Sequence, residues 1–192
     1  MKRMVWSAVM AGVLLCTAAC GPEDAPAANA PQKDDKSKRA FTTVTFDLTG
    51  GVTLKGTTEA NAYVEGEILL GSCAKYAAGG SKNGKTIFTM PYQEKAKIDG
   101  KTVHLQANVS PYQGPGTYEG NKVLTGVMGS EPGLFINTDG YSVGFEKEGA
   151  TSTVTVNADG SGSWKFTHML PNSYALKPID GTISWTCGER DR

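Results

Sequence analysis

From Ala40 onward the larger apolar residues recur at alternate positions, and this regularity excludes most of the folds open to a chain of 192 residues. Val44, Phe46 and Leu48 alternate with Thr43, Thr45 and Asp47. Val103, Leu105, Ala107 and Val109 alternate with Thr102, His104, Gln106 and Asn108. Tyr141, Val143 and Phe145 form a third series, and Val154 with Val156 a fourth. Successive side chains of an extended strand point to opposite faces, so each run offers one face to a core and the other to water. Asp-Gly pairs at Asp99-Gly100, Asp139-Gly140, Asp159-Gly160 and Asp180-Gly181 stand near the ends of these runs and accept the positive φ of tight hairpins. No stretch after Ala40 sustains a helical apolar period. The pattern predicts an all-β domain over 41–192, an antiparallel β-sandwich or partly open barrel of roughly eight to ten strands.

The first residues obey different rules. Lys2 and Arg3 give a positive end, Val5 to Leu15 is apolar, and Thr17, Ala18 and Ala19 are small, the pattern of a secretory signal over 1–19. The apolar run is about half of the roughly 20 residues that cross a bilayer core, and no later segment is longer.

Thr17-Ala18-Ala19 followed by Cys20-Gly21 resembles the lipobox of bacterial lipoproteins. The resemblance implies that Cys20 receives diacylglycerol and becomes the first residue of the mature chain. Thr17 departs from the family pattern, where leucine is usual, and ordinary secretory cleavage after Ala19 is the competing reading. Gly21 is not the aspartate that retains lipoproteins at an inner membrane. The implied location is therefore extracytoplasmic, at an outer membrane or the outer face of the cell membrane. Of four cysteines, Cys16 then leaves with the signal and Cys20 carries lipid, so Cys73 and Cys187 remain as a pair in an oxidising compartment. They are expected to be joined. In the last strand Ile183, Trp185 and Cys187 share a face, which places the bridge beside a large aromatic. A loop this long is worth about 4 to 5 kcal/mol in the chain-entropy treatment.

Between anchor and domain, residues 20–40 contain three prolines after Cys20 and no apolar side chain larger than alanine, too little to bury. As a flexible coil this tether spans roughly 25 Å. The chain carries 19 basic and 19 acidic residues with no basic stripe interleaved with aromatics, so nucleic acid is not an expected partner. Membrane attachment falls to the lipid on Cys20.

Catalytic motifs are sparse. Two histidines, His104 and His168, are too few for a multi-histidine metal centre. His104 reads as a surface residue, and His168, sharing parity with Trp164 and Phe166, as a hydrogen-bonded strand-end residue at the rim of the core. There is no nucleophile elbow, P-loop or dinucleotide fingerprint, and no cofactor is expected. Asn157-Ala158-Asp159-Gly160-Ser161-Gly162 has the alternating oxygens of a calcium loop. It lacks the acidic twelfth residue, which is His168, and reads as a hairpin turn. The most distinctive loop is Ser110 to Tyr118, in which Tyr112 and Tyr118, with Tyr92, are candidates to present flat rings to a sugar or protein. The plainer reading packs one tyrosine and leaves the others as loop residues.

The Gly114-Pro115-Gly116-Thr117-Tyr118 turn, the Val154 to Phe166 hairpin and the Asp180 to Cys187 strand resemble small bacterial surface lipoproteins, including the mycobacterial lipoprotein antigens. That resemblance implies a membrane-anchored β-domain whose terminal strand is bridged to an early one, and carries over no catalytic residues. The expectation is a non-enzymatic envelope binding module for a protein or glycan. The alternative is a glycan-processing enzyme built on paired carboxylates, with Glu65 beside Glu67 and Glu146 beside Glu148 on common strand faces.

Overall fold

The computed structural model describes residues 37–64, 67, 70–120, 124–125, 133–137, 139–142, 149–171 and 176–192. The expected signal, Cys20 and most of the tether lie outside them. The chain takes on strand structure at Lys38, three residues before the expected domain boundary.

Fourteen described strands and one short helix follow. They are β1 (Lys38–Gly50), β2 (Leu54–Asn61), α1 (Cys73–Ala78), β3 (Gly80–Lys82), β4 (Lys85–Thr89), β5 (Gln93–Ile98), β6 (Lys101–Gln106), β7 (Asn108–Val109), β8 (Gly116–Glu119), β9 (Leu124–Thr125), β10 (Gly133–Ile136), β11 (Asp139–Ser142), β12 (Thr151–Val156), β13 (Gly162–Pro171) and β14 (Ile179–Asp191). The main sheet runs β2-β1-β14-β13-β11-β10-β6-β5, with β12 and β8 branching from β13, and every pairing is antiparallel. A smaller sheet runs β3-β4-β7-β9. The count exceeds the roughly eight to ten expected because bulges and breaks divide runs that read as single strands.

The main sheet curls until its terminal strands β2 and β5 meet along a seam closed by side chains, giving a nearly closed barrel. Gln93 Nε2 donates to the Glu59 carbonyl at 3.2 Å. A Cβ on Gly56 would stand 2.7 Å from Ile98 Cγ2, so the two edges are in contact. The inward faces are those the alternation marks: Val44, Phe46, Leu48, Val103, Leu105, Val154 and Val156 are all buried. Together with Trp164, Phe166, Ile183 and Trp185 they form one core that also includes Tyr76 of α1 and Phe88 of β4.

The disulfide is present, joining Cys73 and Cys187, whose Cα atoms are 5.8 Å apart and whose positions are separated by 114 in sequence. Its partner is not an early strand, as expected, but the first residue of α1. Ser72 caps that helix, its Oγ accepting from the Lys75 N–H at 3.2 Å. A six-residue helix is too short to show a 3.6-residue period, which is why the pattern conceals it. The bridge therefore pins helix to strand, and the ring of Phe88 fills the space between, 4.9 Å from Tyr76 and 6.1 Å from Trp185.

Two of the four Asp-Gly pairs make turns. Asp99-Gly100 takes positive φ at both residues between β5 and β6, and Asp159-Gly160 turns β12 into β13. Asp139-Gly140 opens β11 after a turn at Asn137, and Asp180-Gly181 lies inside β14, paired with Thr49 and Leu48. Asn108 is buried instead of lying on a solvent face, because the chain leaves the main sheet at Ala107 and β7 joins the smaller one, where both its residues are covered.

Candidate functional site

The Ser110 to Tyr118 loop is folded onto its own tyrosines. Tyr112 is only 3% exposed, so its ring is not offered to a ligand. Its hydroxyl donates to the Ala77 carbonyl at 2.5 Å, and its ring lies 5.3 Å from Phe88 and 5.5 Å from Tyr118. Burial, reinforced by the neighbouring Tyr118, pushes the Tyr112 phenol well above its ordinary value. Tyr118 is partly buried. Its hydroxyl donates to the Gly114 carbonyl and accepts from the Gln113 N–H at 3.0 Å, satisfying the loop from within. The distinctive composition of this loop thus serves packing.

Tyr92 stands apart from that pair, at the seam. An open groove of about 440 Å³ is lined by Glu59, Ala60 and Asn61 of β2, by Tyr92, Gln93 and Glu94 at the start of β5, and by Arg190 of β14. Register brings these distant segments together. Phe41 of β1 lies opposite Asn61 on one side and Gly188 on the other, while Arg39 lies opposite Arg190. Alternation then puts Glu59, Asn61, Phe41, Arg39 and Arg190 on the outer face.

Gly188 is what lets this arrangement form. A Cβ there would stand 2.8 Å from Phe41 Cζ, so only glycine leaves room for the ring. The Arg190 guanidinium sits 4.4 Å from the Phe41 ring centroid, a cation–π contact, and its Nη1 donates to Glu59 Oε2 at 3.2 Å. Arg39 Nη2 donates to Asn61 Oδ1. Gln93 is 5% exposed and forms the floor through its bond to the Glu59 carbonyl. On the far wall Tyr92 meets His104 edge-on at 5.5 Å, and His104 in turn packs 5.6 Å from Phe135. His104 is therefore a half-buried spacer between two aromatic rings. Partial burial first, then the Glu94 charge and Tyr63, raise the Tyr92 phenol above its ordinary value, so it is a neutral hydroxyl at physiological pH.

His168 is exposed and does not reach the core rim: a bulge in β13 between Phe166 and Met169 shifts the parity, so Met169 is buried in its stead. The His168 backbone takes φ 55° and its N–H donates to Asp180 Oδ1 at 2.6 Å. The Asn157 to Gly162 segment is the β12–β13 turn, with Asp159 Oδ1 accepting from both the N–H and the hydroxyl of Ser161. Those hydrogen bonds hold the Asp159 carboxyl below its ordinary range. Glu67 pairs with Lys75 at 2.5 Å, and Glu65, Glu146 and Glu148 lie outside the described residues. Among the described residues no three His, Cys, Asp or Glu side chains gather as a metal site would require, and no helix is long and apolar enough to cross a membrane.

Sequence reasoning named Tyr92 but not Glu59, Asn61, Gln93, Glu94 or Arg190. The one available signal was the alternation of Phe41 with Arg39 in one run and of Gly188 with Arg190 in another, which gains meaning only once β1 and β14 are paired. Comparison of the chain with protein-family models, curated proteins and solved structures gave no match.

Proposed function

We propose that this chain is a bacterial envelope lipoprotein, held to the membrane by an acylated Cys20, whose β-domain is a non-catalytic binding module. The groove beside Tyr92 is its contact surface for an envelope protein or glycan. The observation that carries this reading is the preorganisation of the groove. Arg190 is fixed by Phe41 and Glu59, Asn61 by Arg39, Gln93 by the Glu59 carbonyl and Tyr92 by His104, so the polar groups are aimed before any ligand arrives.

Position supports it further. Arg190 lies opposite Arg39, one residue from the start of β1, so the groove is at the end of the barrel where β1 begins, the end nearest Cys20 in sequence. A photo-crosslinking side chain placed at Glu94 in intact cells is expected to capture envelope material, while the same side chain at Thr117, on β8, captures none. Equal yields from the two positions would reject the groove as the contact surface.

A further inference from the structure

We propose that the groove takes a neutral, hydroxyl-rich glycan, with one sugar ring laid against the Tyr92 side chain. This rests on the binding-module reading above and names its ligand class. A sugar presents hydroxyls that donate and accept around its rim, and C–H groups on its faces. The groove offers the complement: carboxylates of Glu59 and Glu94 that accept, the Arg190 guanidinium that donates, the Asn61 amide, and an aromatic side chain on the wall. Its volume of about 440 Å³ falls within the range of small-ligand sites, and it is open to solvent, so a longer glycan is free to run past it.

The competing ligand classes fit worse. The two carboxylates of the lining stand beside an Arg190 guanidinium already engaged by Glu59, and the neighbouring Arg39 is bound to Asn61, so the lining offers no unpaired cation to a phosphate headgroup, a nucleic acid or an acidic peptide. Tyr92 and Ala60 alone bring apolar surface, too little for an acyl chain or the apolar face of a peptide helix. Strand addition is blocked because the edges of β2 and β5 face each other, bridged by Gln93 and by Ile98 against Gly56.

The test uses the exported chain carrying Cys20→Ser, which removes the acyl anchor, titrated against immobilised neutral oligosaccharides of about four to six sugars and against phosphatidylglycerol and phosphatidylcholine vesicles. At least one oligosaccharide is expected to bind. Tyr92→Ala should weaken it by about tenfold or more while Tyr92→Phe, which keeps the ring, stays within about threefold. Glu94→Gln, at an exposed position, should weaken binding several-fold and supplies the result if Tyr92→Ala does not fold, as judged by its thermal melt. Tyr118→Ala should bind as the parent does. Binding that is unchanged in both Tyr92→Ala and Glu94→Gln overturns the assignment, as does binding to phosphatidylglycerol vesicles in preference to every oligosaccharide. If no oligosaccharide binds but the Glu94 crosslink to envelope material persists, the glycan inference fails and the binding-module reading stands. If both are absent, both fail.

Discussion

Trp185 Nε1 donates to the Gly160 carbonyl at 3.0 Å, so the tip of the β12–β13 hairpin is bound to the strand that carries the disulfide. Gly160 sits at φ 79°, and a Cβ there would stand 2.9 Å from the Cys73 carbonyl oxygen and 3.3 Å from Cys187 Cβ. Hairpin tip, helix start and terminal strand thus converge on one point.

Gly160→Ala is therefore expected to destabilise the domain by about 2 to 4 kcal/mol, the left-handed backbone and the backbone contact both contributing. Gly100→Ala is the comparison. It has φ 72° but open space around it, and should cost only about 1 to 2 kcal/mol. Urea unfolding of the two variants side by side checks this, and equal losses would show that the close approach at Gly160 has no energetic consequence.

Replacing both bridged cysteines, Cys73→Ser with Cys187→Ser, removes a cross-link spanning 114 residues. The expected loss is about 4 kcal/mol, chiefly from a less constrained unfolded chain, and reduction of the parent should reproduce it. A change below about 1 kcal/mol in denaturant titrations would mean that the Phe88-centred packing, and not the bridge, holds α1 to β14.

The alternation of Val44, Phe46 and Leu48 was enough to identify the barrel wall, because a two-residue period has one structural meaning when both faces are so unlike. It failed where local geometry breaks the period. The bulge after Phe166 moved His168 outward, and the sheet change at Ala107 buried Asn108. Asp180-Gly181 has the composition of a turn but is held extended by thirteen consecutive pairings between β1 and β14. The disulfide followed from counting cysteines, whereas its seat on a helix did not, since one and a half turns leave no periodic trace. The groove was the least legible part. Its residues come from three segments up to 131 positions apart, and only the curl of the sheet brings β2 to β5.

Alkaline pH should unfold the protein through its buried tyrosines. Burial, with a smaller contribution from Tyr112, raises the Tyr76 phenol well above 10.0, and Tyr112 is raised likewise. The neutral phenol is thus favoured in the fold, while the unfolded chain releases these protons near the ordinary value. Stabilisation is complete below about pH 10 and is lost as pH rises toward the folded-state values, at about 1.4 kcal/mol per tyrosine per pH unit. Urea midpoints should be level from about pH 8 to 9.5 and fall by pH 11. Tyr76→Phe, which gives up the 2.9 Å bond to the Thr89 carbonyl, should start lower and fall less steeply. An equally steep fall in that variant would assign the alkaline loss to other groups.

The proposed acylation of Cys20 comes first, because a domain proposed to bind envelope material must be held at the membrane. Intact mass spectrometry of the protein extracted from its native envelope tests this directly. The expected result is a chain beginning at Cys20 with a diacylglyceryl adduct on that residue, and gaining the mass of two hydrogens on reduction as the Cys73–Cys187 bridge opens. A chain whose Cys20 is free and unmodified would contradict it.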